Sequence, residues 1–248
     1  MRLQLGAVII LKFTIKLNNK LYIISTPIGN LKDITLRAIE TLKEVDFVAC
    51  EDTRVSMVLL KHYEINKELI SLNAANENSK IEFILNKINS GRSCALISDA
   101  GTPGISDPGV RLISSAIKSG VEIIPIPGVT AAITALTISG LPTDSFLYEG
   151  FLPRKKGRQK KLISLAEEER TIIIYESTYR IEKLIKELSE YMPNRFMVVC
   201  RELTKKFEEV WRGTPLQLEN LIKEKTIKGE FVVVISPKSW IEKDKISL

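Results

Sequence analysis

The run Cys94-Ala95-Leu96-Ile97, the connection Ser98-Asp99-Ala100-Gly101-Thr102-Pro103-Gly104-Ile105-Ser106-Asp107-Pro108-Gly109 and the segment Val110 to Lys118 constrain the fold more than any other part of the chain. Four apolar residues between turn signals read as a buried strand, and the segment after Gly109 reads as a helix. Three glycines and two prolines in the connection dictate an irregular backbone path. Glycine tolerates positive φ, whereas proline fixes φ and lacks a donor. A single such residue would mark an ordinary turn. This density, with Asp99 and Asp107 at either side, favours a ligand loop at the carboxyl end of a strand.

The same strand–turn–helix unit recurs upstream and downstream. Leu21 to Ser25 read as a strand, followed by the turn Thr26-Pro27-Ile28-Gly29-Asn30 and a helix with Leu36, Ile39 and Leu42 on one side and Asp33 as its cap. Phe47 to Cys50 form the next strand, then come a helix over Val55 to Tyr63, a short strand at Leu69 to Leu72, and a helix from Asn76 closed by Gly91. Val121 to Ile126 lead into Pro127 to Ala132 and an apolar helix ending near Gly140. Such alternation predicts a mostly parallel sheet covered on both faces. The three turns at Pro27–Asn30, Asp99–Gly109 and Pro127–Ala132 then share one sheet edge.

Gly140-Leu141-Pro142-Thr143 read as a boundary. Beyond it, strands are expected at Phe146–Phe151, Thr171–Tyr175, Phe196–Cys200, Phe207–Trp211 and Phe231–Ile235, interleaved with helices. One of these helices opens on a capping box, Thr214 with Gln217, and has Pro215 at its first position. The expected architecture is two-domain α/β. Residues 1–19 form an extension, 20–140 a domain with a mostly parallel sheet, and 141–248 a domain with a mixed sheet.

A chain of 248 residues suffices for two modest cores. The net charge of +6 points only weakly to an anionic partner. Cys50, Cys94 and Cys200 lie far apart in apolar runs, without metal-ligand spacing, and read as buried reduced thiols of a cytoplasmic protein. With His62 as the only histidine, a Ser/His/Asp triad or a histidine-based metal site has little to draw on, and no metal is expected. Leu5 to Leu11 are apolar too briefly before Lys12 to span a bilayer, and no membrane association is expected. No G-x-G-x-x-G and no G-x-x-x-x-G-K-[ST] occurs, which demotes dinucleotide-binding and P-loop readings.

Several stretches together resemble one family: Ser25 to Leu31, Cys50-Glu51-Asp52-Thr53-Arg54, Ser98 to Gly109, Pro127 to Ala131, Gly150 to Pro153, Tyr175-Glu176-Ser177, Arg201 to Lys205 and Gly229-Glu230-Phe231. They run in order from Leu21 to Ile235. They are similar to the tetrapyrrole (precorrin/corrin) methylase superfamily, in the branch that methylates a cytidine 2′-hydroxyl in the decoding region of bacterial 16S rRNA. The resemblance implies a homodimer with S-adenosylmethionine bound between the two domains. It implies that Pro27 and Gly29 line the cofactor cleft, and that Asp99 and Gly101 meet the amino-acid or ribose portion with Ile105 and Ser106 beside them. Thr130 and Ala131 then close over the cofactor, while Leu203 and the backbone near Tyr175 face the adenine.

A ribose methylation asks for alignment of hydroxyl, methyl and leaving sulfur, and a general base assists it. Glu51, Asp52, Asp107 and Glu202 are the candidates, each with a salt bridge or helix cap as its plainer role. Arg154, Lys155, Lys156, Arg158, Lys160 and Lys161 form the densest cationic run. A charge run is usually a solvated face, but an RNA substrate rewards clustered cations. Arg54, Arg201, Lys205 and Lys206 are further candidates for phosphate. Aromatic residues make up only 6% of the chain, which argues against an extended stacking surface and for recognition within an assembled small ribosomal subunit. Two alternatives stay open, a tetrapyrrole substrate and a non-catalytic ribosome-associated RNA-binding protein. The basic loop and the Arg201–Lys205 signature favour the rRNA branch, and the intact strand-end loops argue against a pure binder.

Overall fold

Five short strands, β1 (Lys20–Ile24), β2 (Phe47–Cys50), β3 (Glu68–Ser71), β4 (Cys94–Ile97) and β5 (Glu122–Ile126), pair in parallel in the order β3-β2-β4-β1-β5. The computed structural model describes residues 19–240 other than Ala74. Residues 1–18 of the expected extension, with its apolar Leu5–Leu11, and residues 241–248 lie outside the described residues.

Alternate strand residues serve opposite faces, as the pleat requires. Tyr22, Ile24, Val48, Ala95 and Ile97 pack beneath α1 (Leu36–Glu44) and α2 (Thr53–His62). Leu21, Phe47, Ala49, Cys94 and Leu96 pack beneath α3 (Glu77–Asn89) and α4 (Val110–Lys118). The cap of α1 is Thr35 rather than Asp33, which closes a single 3-10 turn. Leu36 is consequently the first helical residue and exposed, while Ala38, Thr41 and Leu42 make the buried stripe. Pro125 is tolerated because β5 is an edge strand.

The second half forms a mixed sheet in the order β6-β7-β10-β8-β9 from β6 (Phe146–Phe151), β7 (Thr171–Ser177), β8 (Met197–Arg201), β9 (Glu209–Gly213) and β10 (Glu230–Ile235). Only β6 and β7 are parallel. One face is covered by α6 (Arg158–Ala166), α7 (Ile181–Tyr191) and α8 (Pro215–Ile222), and the expected capping box of α8 is present. The other face receives α5 (Ala131–Thr137), whose Ala132, Ala135 and Leu136 pack with Ile173, Val198, Val232 and Val234. Thus a helix that precedes Gly140 in sequence packs on the second sheet. The parallel sheet followed by a mixed one is the fold class that the sequence pattern predicts. All three cysteines are buried and unpaired. Among the described residues no helix is long and apolar enough to cross a membrane.

Gly109 caps α4 at φ +125°, and a Cβ there would lie 2.8 Å from Leu96 Cδ2. Gly109→Ala is expected to destabilise the fold by about 2–3 kcal/mol, combining backbone strain with overpacking. Gly157→Ala, at φ +84° in open space, carries only the strain of about 1–2 kcal/mol. Urea denaturation of the two variants checks the ordering, and equal losses would remove the packing component.

Candidate active site

The connections after β1 and β4 leave towards opposite faces of the sheet, since α1 packs on one face and α4 on the other. Adjacent parallel strands whose connections diverge open a crevice at their carboxyl ends. Here the crevice is shaped by cross-bonding of three loops. Thr26 and Gly101 exchange backbone hydrogen bonds, Thr26 N–H to Gly101 O at 2.8 Å and Gly101 N–H to Thr26 O at 3.0 Å. Thr26 Oγ1 donates to Ser98 O at 3.0 Å, Ser25 and Thr102 hydroxyls lie 2.8 Å apart, and Thr102 Oγ1 donates to Val129 O at 3.4 Å. The three turns expected to share one sheet edge are thereby tied together.

The second sheet faces this edge with the end of β7 and the start of β10, which are antiparallel neighbours pairing Ser177 with Glu230. Between the halves lies a cavity of about 340 Å³. Ile28, Ala131, Tyr175, Leu203 and Val232 give it largely apolar walls, and Asp107 and Glu230 place carboxylates on it. Ser106, at φ +65°, reaches across to Tyr148 with 2.6 Å between hydroxyls. Gly150, at φ +65°, leaves room for that contact, because a Cβ there would lie 2.8 Å from Ser106 Oγ.

The four candidate bases are not equivalent. Burial, followed by repulsion from Asp99 and Glu230, pushes the Asp107 carboxyl up to about 6 against a hydrogen bond from Ser98. Burial and the carboxylates of Asp99, Asp107 and Asp52 also raise Glu51, which does not line the cavity. Asp52 caps α2 and chelates Arg54, and these bonds hold it at about 2. Burial opposes ionisation of Glu202, yet bonds from Lys205 and the Glu230 N–H outweigh it and hold the carboxyl below its ordinary value.

Of the residues expected around a cofactor, Gly101, Ile105, Ser106, Thr130, Ala131 and Leu203 line the cavity. Pro27 is buried and does not line it; its neighbour Ile28 does. Gly29 instead docks on the turn after β8, where a Cβ would lie 2.8 Å from Thr204 Oγ1, and Asn30 N–H donates to that hydroxyl at 3.1 Å. Asp99 also stands off the cavity and accepts the Asp52 N–H at 3.1 Å, tying the loops after β2 and β4.

The expected phosphate contacts divide similarly. Arg154, Lys155, Lys156 and Lys160 are exposed, as is Arg54 although paired to Asp52. Arg158 is only 5% exposed, forked onto Glu187 and donating to Pro153 O. Arg201 is buried against Lys228 O and Glu209. Neither guanidinium faces solvent, so both leave the phosphate-facing set. Lys205 bridges Glu202 and Glu230. Glu230, Thr178, Tyr179 and Phe151 also line the cavity, although the sequence pattern assigned them no role. The sequence signal for Phe151 is the stretch Gly150–Pro153 and for Glu230 the stretch Gly229–Phe231, while Thr178 and Tyr179 directly follow Tyr175–Ser177, which meets Gly229–Phe231 only once β7 and β10 are paired.

The parallel sheet, the mixed sheet and the cleft between them define the class. Residues 20–219 match the family described as Tetrapyrrole (Corrin/Porphyrin) Methylases. A cobalt precorrin-4 methyltransferase has a similar fold, with a TM-score of 0.68 at 21% identity over 88% of this chain and 95% of that one. A uroporphyrin-III C-methyltransferase from Thermus thermophilus, solved with S-adenosyl homocysteine, gives 0.63 at 17% identity over 88% and 97%. The ribosomal RNA small subunit methyltransferase I of Halalkalibacterium halodurans is 47% identical over 216 residues, 87% of this chain and 75% of that protein. The chain belongs to the tetrapyrrole methylase family and, within it, to the ribosomal RNA small subunit methyltransferase I group.

The folded state holds the Asp107 proton more tightly than an unfolded chain, whose carboxyl titrates near ~4, so this group's contribution to stability falls as pH rises from there through about 6. Asp107→Asn is therefore expected to raise the melting temperature of the ligand-free protein at pH 7. The gain should vanish towards pH ~4; a lower melting temperature at pH 7 would instead make the carboxylate a structural acceptor. Arg158→Ala should cost on the order of 3 kcal/mol by leaving the mostly buried Glu187 carboxylate with only the exposed Lys183 ammonium at 3.8 Å, whereas Lys155→Glu and Lys156→Glu leave the denaturation midpoint unchanged.

Proposed function

We propose that the protein transfers a methyl group from S-adenosylmethionine to the 2′-hydroxyl of a cytidine in the decoding region of 16S rRNA. The observation that carries this reading is a cleft with a half-buried carboxylate poised at about 6 on its wall, in a chain that also exposes a basic loop, Arg154-Lys155-Lys156, beyond the cleft-lining Phe151. It stands in a chain 47% identical to a ribosomal RNA small subunit methyltransferase I.

The cleft suits such a donor. Its apolar walls at Ile28, Ala131, Leu203 and Val232 accept an adenosine and a hydrocarbon chain, and Asp107 and Glu230 offset positive charge. A fold neighbour solved with S-adenosyl homocysteine is in line with that choice. When bound, S-adenosylmethionine supplies a methyl already activated on a sulfonium.

The chain's own residues then have two tasks. Asp107 accepts the proton of the 2′-hydroxyl. At neutral pH it is mostly ionised, yet it is more basic than an ordinary carboxylate, which is the balance a general base needs. Asp52 and Glu202 are held by Arg54 and Lys205 and are weaker bases for it. The walls exclude water and fix the approach, and orientation of this kind contributes roughly 7 kcal/mol or more in favourable cases. Arg154, Lys155, Lys156 and Lys160 engage backbone phosphates, in a small ribosomal subunit met in the cytoplasm. A homodimer belongs to the same reading.

Mapping 2′-O-methyl groups on 16S rRNA from cells lacking the protein tests it. One decoding-region cytidine should lose its methyl and regain it with the unaltered gene, while Asp107→Asn restores it at a rate on the order of a hundredfold lower. Retention of every ribose methyl would end the reading.

A further inference from the structure

The turn Ser177–Arg180 at the lip of the cleft is held on several sides. Thr178 Oγ1 donates to Gly229 O at 2.6 Å, and Arg180 N–H donates to Ser177 O at 3.0 Å. The Arg180 guanidinium donates to Glu176 and to Leu152 O, both at 2.9 Å. The backbone is thus fixed, yet Tyr179 within it is 96% exposed while lining the cavity. The fold gains almost nothing from an aromatic ring so placed, because it buries almost no area there. Phe151, on the same cavity and 53% exposed, is steadied edge-on by the Tyr175 ring at 5.8 Å between centroids. Arg154, Lys155 and Lys156 follow Phe151 almost directly and are exposed. Aromatic faces beside clustered cations are how proteins hold single-stranded nucleic acid, the rings taking bases and the cations taking phosphates.

We propose that Tyr179, together with Phe151, forms a stacking face for the target nucleobase once it has been drawn out of its strand. The inference rests on the methyl-transfer reading above and adds how the nucleotide is presented. Asp107 lines the same cavity as the two rings, so a nucleotide whose base is turned out onto them brings its 2′-hydroxyl towards that carboxylate. Unstacking is costly, and a ring waiting at the lip returns part of that cost. A single base needs one or two rings, which is compatible with the low aromatic content of the chain. The basic loop next to Phe151 holds the flanking phosphates while the base is out.

Steady-state kinetics with small-subunit RNA and equilibrium binding of an RNA carrying a fluorescent cytidine analogue at the target position test the proposal. Tyr179→Ala should raise the KM for RNA about tenfold or more and abolish quenching of the analogue. The Kd for S-adenosylmethionine and the melting temperature should not move. Tyr179→Phe and Tyr179→Trp keep a ring and should behave like the unaltered protein. An unchanged KM and quench in Tyr179→Ala would overturn the proposal. So would a Tyr179→Phe variant as impaired as Tyr179→Ala, or an effect confined to S-adenosylmethionine binding. The quench needs no turnover, so an unaltered protein that quenches without methylating would fail the rRNA methylation reading and leave the stacking result standing.

Discussion

The reciprocal hydrogen bond between Thr26 and Gly101 is the constraint on which the cleft depends. It joins the ends of β1 and β4 just where their connections separate, and it holds Gly101 at φ +81°, a conformation that glycine adopts without strain. From that point the loop runs over the edge of the first sheet towards the second. Ser106 takes a left-handed conformation without being glycine, and its bond to Tyr148 is the tertiary contact that sustains the strain. Asp107 follows it directly and is thereby set facing the second sheet.

Charge is segregated around this loop. The chain is basic overall, yet Asp107 lines the cleft, and Asp99, standing off it, raises the carboxyls of both Asp107 and Glu51. The exposed cations lie outside, on the loop after β6. Clustered carboxylates repel phosphate and favour a cation, whereas a basic loop does the reverse.

Much of this was legible in the residues. The apolar runs at Leu21, Phe47 and Cys94 dictate central parallel strands, and the glycine and proline content of Ser98 to Gly109 marks the loop that forms the cleft wall. Arg158 shows what charge-based reading missed. It shares a buried helical stripe with Leu162 and Leu165, so its spacing, not its charge, carried the information. Arg201 ends a strand buried along its whole length. Asp99 and Gly29 sit in ligand-forming loops, and in the structure Asp99 accepts the Asp52 N–H while Gly29 lies against the Thr204 turn. The part played by Glu230 and Tyr179 depends on β10 running antiparallel to β7, a non-local fact that no local pattern encodes.

Two seams now explain why the cleft is ready-made. On one side Gly29 and Asn30 settle on the Leu203–Lys205 turn, where Glu202 and Thr204 adopt left-handed conformations and Lys205 ties Glu202 to Glu230. On the other, Ser106 meets Tyr148, while Tyr175 accepts the Ala132 N–H and fixes α5 against the second sheet. The first seam fixes the loop after β1, and the second fixes the loop after β4. Cavity width is then set by hydrogen bonds at both margins rather than by what fills it. For a displacement that gains its rate from alignment, that rigidity matters more than any one contact, since the cost of orienting the reactants is met when the protein folds.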